Sequence, residues 1–162
     1  MTDDESMTRW LNEDERAAWL KLAGVALKLA PTLDSQMQRD SDMTHFDYMC
    51  LAMLSEADGR SLRMSELAAM VNASLSRLSH VVTKLEKRGW VERAPSPDSG
   101  RVTLARLTDT GWKTVVAAAP GHVETVRDLV FEDLAPGDVA ALERVAGAIL
   151  ARIEASSLKS VC

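Results

Sequence analysis

The chain has 162 residues, a formal net charge of −5 and a pI near 5.2, with 46% hydrophobic and 27% charged residues. This length fits one compact domain, and the balance of apolar and charged residues is that of a folded globular protein, so a large multidomain enzyme and a disordered chain are both excluded. Aromatic residues make up only 4%, whereas Ala, Leu, Val and Met are plentiful, which favours helices over a broad all-β fold.

The sequence contains few signals for export, disulfide bonding or metal binding. No stretch approaches the roughly 18 apolar residues of a membrane span, and the first ten residues are acidic and polar, unlike a signal peptide. Two cysteines, Cys50 and Cys162, do not form a disulfide framework, and the three histidines lack metal-ligand spacing. We therefore expect a cytoplasmic protein with no membrane association, no metal and no cofactor.

The charge is unevenly distributed along the chain. Residues 60–106 contain nine basic and four acidic side chains, a local net charge of +5, so the remainder carries −10. A basic middle between two acidic segments indicates one surface that meets an anion. A solvated helix face would produce the same count, so charge alone does not decide between the two interpretations.

Two helices are predicted before the basic segment. Asn12 can cap a first helix over about 13–38, which begins with acidic residues and then repeats apolar residues at helical spacing. Pro31 is expected to kink or split this helix, because proline removes a backbone donor. Thr44 and Asp47 resemble a capping box and predict a second, mostly buried helix.

The basic segment opens with two further predicted helices. Ser65 can cap the short segment SELAAMV, and a polar break at 72–74 follows it. The segment LSRLSHVVTKLEKRG then places apolar residues on one stripe of a helix that Gly89 terminates. These apolar residues are Leu75, Leu78, Val81, Val82 and Leu85. The opposite face is an unbroken polar and basic surface.

Two β-like runs follow, WVERA at 90–94 and VTLARL at 102–107, with turn-forming residues between them. A short helix, a tight turn, an amphipathic helix and a hairpin, in this order, predict a winged helix-turn-helix. An α-helix fits the major groove of DNA, and an arginine at the hairpin tip, Arg101, suits the minor groove.

The rest of the chain is again predicted to be helical. Thr108 is a candidate cap for a segment that runs to about Leu134, which Pro120 is expected to bend or break. A final amphipathic helix is predicted over 137–157.

Residues 65–111 also resemble the core signature of the MarR family of bacterial transcriptional regulators. The specific elements are L-E-x-x-G ending at Gly89, a wing that carries Asp and Arg, and L-T-x-x-G ending at Gly111. The resemblance implies a mainly α-helical homodimer with a small hairpin wing. It also implies that the dimer binds a pseudo-palindromic operator in double-stranded DNA and usually represses transcription until a small, often aromatic or phenolic, effector releases it.

Matching the family's motif residue by residue implies a set of DNA-binding side chains. Ser76, Arg77, Ser79 and His80 match base and phosphate contacts, and Thr83 and Lys84 are then expected to contact phosphates. His80 stands where arginine is common, so a different base contact is expected there. Asp98 stands three residues before Arg101, where a spacing of two is more usual, which leaves open whether the two brace the wing. The full DNA-binding set is Arg63, Ser65, Ser74, Ser76, Arg77, Ser79, His80, Thr83, Lys84 and Arg101.

The predicted fold class is therefore mainly α, with a winged helix-turn-helix domain at 44–107. Residues 1–43 and 108–162 are expected to form a helical dimerisation region. Trp10 and Trp19 could line an effector pocket, but their helical spacing favours a core position.

Three other functions are weighed against this one. Ser76 and His80 could face each other as in a hydrolase, but no carboxylate orients the imidazole, so an enzyme is not predicted. A redox-responsive regulator would require an accessible Cys50, and the apolar residues around it favour a buried thiol. A protein-interaction module that uses only the terminal helices would bind no DNA.

Overall fold

The computed structural model describes residues 8–97 and 99–159, with side chains to residue 156. The fold is mainly helical with one small sheet, in the element order that the sequence predicts. The helices are α1 (Glu13–Ser41), α2 (His45–Glu56), α3 (Met64–Met70), α4 (Leu75–Lys87), α5 (Asp109–Val126) and α6 (Pro136–Lys159). The strands are β1 (Ser61–Arg63), β2 (Val91–Ser96) and β3 (Ser99–Leu107). A 3₁₀ turn spans Asp58–Arg60 and a π-helical turn spans Arg127–Phe131.

The first two helices begin as the sequence predicts, with a capping box at Asn12 and another at Thr44. The expectation that Pro31 splits α1 is wrong, because α1 runs unbroken from Glu13 to Ser41. Proline removes only one backbone hydrogen bond, and its φ is already helical. The hydroxyls of Thr32 and Ser35 also donate to backbone oxygens one turn earlier within the helix.

The helix-turn-helix forms with two corrections at residue level. Helix α3 begins at Met64, so Ser65 is not its cap; the Glu66 carboxylate instead accepts from the backbone N–H of Arg63. Leu75 is 55% exposed and lies outside the buried stripe of α4, which contains Leu78, Val82 and Leu85. As the first residue of α4, Leu75 projects beyond the core that covers the later turns.

The wing is a hairpin of β2 and β3 within a three-stranded antiparallel sheet of order β1-β3-β2. The strands are longer than predicted, since pairing continues to Ser96 opposite Ser99. Backbone groups of residues that were predicted to lie in the turn therefore pair between the two strands instead. Asp98 lies outside the described residues, so a contact between Asp98 and Arg101 is not tested by the structure.

The two signature glycines meet at one junction. Gly89 has a φ of +71° and ends α4, as predicted. The Thr108 hydroxyl donates to the Gly89 carbonyl at 2.7 Å and accepts from the Gly111 N–H at 3.0 Å, which confirms Thr108 as the cap of α5. A Cβ on Gly111 would lie 2.1 Å from the backbone oxygen of Trp90. The two motifs are thus one packing contact, which joins the end of α4 to the start of α5.

The chain comprises two compact units, Met1–Ala119 and Pro120–Cys162. The first unit contains a continuous apolar core to which α2, α3, α4 and the sheet contribute. Pro120 does not break α5, which continues to Val126. Among the described residues, no helix is long and apolar enough to cross a membrane. The predicted division into dimerisation and DNA-binding regions stays a prediction.

Candidate nucleic-acid interface

Helix α4 presents a polar face beside its buried apolar stripe. Ser74 caps the helix through its hydroxyl, which accepts from the Arg77 N–H at 3.2 Å. The predicted DNA-binding side chains on α4 are all exposed: Ser76, Arg77, Ser79, His80, Thr83 and Lys84. This face carries the charge that an anionic partner requires.

Helix α2 holds two of these basic side chains. The Arg77 guanidinium stacks on the Phe46 ring, with its carbon 4.2 Å from the ring centroid. The Lys84 ammonium pairs with the Asp47 carboxylate, which is only 1% exposed. Asp47 also accepts from the Thr44 N–H at 2.9 Å, so one carboxylate caps α2 and holds α4. Lys84, expected to contact phosphate, is paired with Asp47 in the structure, and its contact with phosphate stays a prediction.

A second set of predicted residues lines an open groove of about 480 Å³ between α3, the start of α4 and the wing. Arg63, Ser65, Ser79 and Arg101 all border it. The structure thus brings four predicted residues together around one concave surface, and Arg77 and Lys84 are held by α2. Leu75 also lines the groove, together with the apolar side chains of Met64 and Val102.

Arg93 is the main functional candidate that sequence reasoning missed. It lies on β2, and its guanidinium donates to the Ser79 and Thr83 hydroxyls at 3.1 and 3.2 Å and pairs with the Glu86 carboxylate. The sequence contained one signal for this inward position: Arg93 is two residues from Val91, so the two side chains lie on the same face of β2, and Val91 is buried. Placing it against α4 requires the tertiary fold.

Cys50 is fully buried within the core. Burial in apolar surroundings, with the nearby Asp47 carboxylate, raises the pKa of its thiol to about 12. A thiol in this environment is protonated at neutral pH, which disfavours redox chemistry because the thiolate is the reactive form. Within residues 8–97 and 99–159, no three His, Cys, Asp or Glu side chains form a group that could hold a metal ion.

Comparison with known proteins identifies the relatives of this fold. The family model described as "MarR family" matches residues 43–103. Sco3205, a MarR family transcriptional regulator from Streptomyces coelicolor solved in complex with DNA, is 41% identical, with a TM-score of 0.85 over 88% of this chain and 89% of that one. The chain belongs to the MarR family.

Further relatives agree with this membership. AbsC, another MarR family regulator from S. coelicolor, is 35% identical, with a TM-score of 0.86 over 91% of this chain and 99% of that one. The transcriptional repressor MprA from Escherichia coli K12 is 26% identical over 107 residues, or 66% of this chain and 60% of MprA. The HTH-type transcriptional regulator YdcH from Bacillus subtilis (strain 168) is matched over 55% of its length, so the chain spans little more than half of these curated relatives. As a member of the MarR family, the chain is a transcriptional regulator with a winged-helix fold.

Proposed function

We infer that this regulator is a homodimeric repressor that binds a pseudo-palindromic operator in double-stranded DNA. The observation that carries the proposal is the exposed polar and basic face of α4, next to a wing that bears Arg101. The α4 face enters the major groove, where Arg77 reads base edges, and Arg101 follows the minor groove. Side chains around the wing groove, such as Arg63 and Ser65, contact phosphates and so set the position on the duplex.

Two relatives support the DNA and repressor parts of this proposal. Sco3205 has been crystallised with DNA, and MprA is named as a repressor. The acidic remainder of the chain repels the phosphate backbone, which restricts DNA contact to the basic segment.

Exposed apolar side chains on two helices support the homodimer. Along α1, Trp19, Leu20 and Val25 are all more than half exposed, and α6 exposes a similar apolar stripe. The residues on α6 are Val139, Leu142, Val145, Leu150 and Ile153. Apolar surface of this extent marks an association site, and closed twofold assembly is the commonest way to cover it. A twofold dimer also presents two recognition helices to two half-sites about one helical turn apart.

Release by a small, aromatic or phenolic effector completes the proposed mechanism. The expectation that Trp10 and Trp19 are core residues is wrong for the single chain, since they are 84% and 56% exposed. Aromatic side chains at an association surface suit an aromatic ligand. For release, the effector must bind the free dimer more tightly than the DNA-bound dimer.

The experiment is a binding titration of the purified protein against the intergenic DNA beside its own gene, at several salt concentrations and with random duplex as competitor. We expect saturation at one dimer per site and a steep loss of affinity with salt. Arg77→Ala should reduce the preference for the operator over random duplex. The matched control is Lys113→Ala, which removes one positive charge from α5 and should leave that preference unchanged. Equal affinity for both DNAs in the wild type would favour a protein-interaction module instead.

A further inference from the structure

Arg93 connects the wing to α4, the proposed recognition helix, through hydrogen bonds to three residues of that helix. Its Nη2 donates to the Ser79 backbone oxygen at 2.8 Å and to the Ser79 hydroxyl at 3.1 Å. Both terminal nitrogens donate to the Thr83 hydroxyl at 3.2 Å, and Nη1 pairs with Glu86. The Arg93 backbone N–H also donates to Glu86, at 3.0 Å.

These partners lie on one line along α4. Ser79, Thr83 and Glu86 are spaced by four and three residues, so they follow a single face of the helix over two turns. One planar guanidinium therefore fixes both the rotation of α4 about its axis and its position along β2. Arginine suits this role because its donors are arranged in a rigid fork, whereas lysine offers one flexible ammonium.

The Thr83 hydroxyl has no hydrogen-bonding capacity left for DNA. It donates to the Ser79 backbone oxygen at 2.9 Å and accepts from both Arg93 nitrogens. A hydroxyl has one donor and two acceptor lone pairs, and all three are used within the chain. Thr83, predicted to contact phosphate, belongs to the connection between helix and wing.

We propose that Arg93 is a positioning residue that holds the recognition helix and the wing as one body, so that Arg77 and Arg101 reach their grooves together. Strand β2 is one strand of the hairpin, and Arg101 lies on the other strand, β3. Fixing β2 to α4 therefore fixes the wing relative to the recognition helix. Preorganisation of this kind contributes to specificity because the helix and the wing need not be ordered on binding. The inference rests on the proposed DNA-binding function.

The test compares binding to a duplex that the wild type selects from a random-sequence pool with binding to a scrambled duplex of the same composition. Arg93→Lys keeps the charge and loses the fork, so we expect affinity for the selected duplex to fall about tenfold. Affinity for the scrambled duplex and the salt dependence should stay within about twofold of wild type, because no phosphate contact is lost. Near-UV circular dichroism and thermal melting verify that the variant is folded.

Two further variants isolate the role of Arg93. Thr83→Val removes the hydroxyl that bonds to Arg93 and keeps the side-chain volume. We expect the ratio of selected-duplex to scrambled-duplex affinity to fall about threefold. If Arg93→Lys does not fold, Thr83→Val replaces it as the test. Arg106→Lys is the matched control, since Arg106 lies in the same hairpin and pairs with exposed Glu92 at 3.9 Å. This control should bind like wild type, because exposed pairs contribute little.

The possible outcomes separate the two proposals. If the wild type selects no sequence, the proposed function fails. If it selects one and Arg93→Lys retains the full affinity ratio, Arg93 is a simple charge contact and the positioning role is overturned. Equal loss of affinity for both duplexes would also overturn it, because a positioning defect acts on specific binding.

Discussion

The side chains around α4 and the apolar side chains of α1 and α6 differ in whether they have partners within the chain. Around α4, polar groups are held by partners in the same chain: Arg77 by Phe46, Lys84 by Asp47, and Ser79 by Arg93. Along the first half of α1 and along α6, the apolar groups that define each helix are exposed. The first region is therefore prearranged within one copy of the chain, whereas the apolar faces of α1 and α6 are the surface that the proposed dimer would cover.

Polar contacts and apolar burial contribute differently to the free energy of these two regions. Polar contacts around α4 each contribute modestly, about 1 kcal/mol net, but they fix geometry. Burial of a leucine or valine side chain contributes about 1.5–3 kcal/mol and carries little directional information. Under the proposed function, the geometry that gives specificity lies within one copy, and the free energy of dimerisation comes from the apolar surface that one copy leaves exposed.

The largest expected effect concerns the junction that supports the prearranged region. Gly111→Ala places a methyl group against the Trp90 backbone oxygen, which cannot move without displacing β2. We expect a loss of about 3 kcal/mol of unfolding free energy in urea denaturation. Gly147→Ala is the control, because nothing lies within 4 Å of its Cβ position on α6. That substitution should be neutral or slightly stabilising, and equal destabilisation by both would show that the junction has no special role.

The second prediction concerns the exposed apolar surface. Leu142→Asp places a charge within the apolar stripe of α6, and a twofold dimer would contain two such charges, one from each copy. We expect dimer affinity to fall by about 3 kcal/mol, or more than a hundredfold, in sedimentation equilibrium. Glu143→Ala, on the adjacent exposed position, should leave the dimer intact. An unchanged sedimentation profile for Leu142→Asp would remove α6 from the association surface.

Local signals allowed much of the fold to be predicted. Capping at Asn12 and Thr44, the turn at Gly89 and the hairpin all depend on residues close together in sequence. The prediction that Pro31 splits α1 failed because it gave too much weight to one missing backbone hydrogen bond, in a helix where the Thr32 and Ser35 hydroxyls also bond to the backbone.

The site was less predictable because its partners are distant in sequence. Lys84 and Asp47 are 37 residues apart, and sequence shows both side chains without showing that they meet. Leu75 and Trp19 matched core patterns, yet both are exposed in one copy. Helical spacing identifies an apolar face, but whether this chain or a second one covers that face depends on the assembly.

The third prediction tests whether Asp47 restrains Lys84. Asp47→Asn keeps an oxygen that can cap Thr44 and removes the charge that holds the lysine. Since Lys84 is 47% exposed and can be hydrated, we expect a stability loss of only about 1 kcal/mol. The freed ammonium should contact phosphate and so strengthen binding to the scrambled duplex. The slope of log affinity against log salt concentration should become steeper by about one, as expected for one added phosphate contact.

The control for Asp47→Asn uses another pair that joins the end of a helix to the recognition region. Asp42 ends α1 and pairs with Arg88 at 3.0 Å, but the Asp42 side chain is exposed. Asp42→Asn should change neither scrambled-duplex affinity nor its salt dependence. If Asp47→Asn behaves in the same way, Lys84 is not restrained by the buried carboxylate.

The smallest expected effect concerns Cys50, which lies inside the prearranged region. With its pKa raised to about 12, the thiol is almost entirely protonated near neutral pH, so oxidation and alkylation of the folded protein should be slow. In a Cys162→Ser background, we expect hydrogen peroxide to change operator affinity by less than about twofold, since no thiolate is available to react. Iodoacetamide should label Cys50 rapidly in urea and slowly in buffer. Rapid labelling in buffer, with loss of DNA binding, would mean that the core around Cys50 opens readily. The contrast between a prearranged region around α4 and the exposed apolar faces of α1 and α6 would then fail.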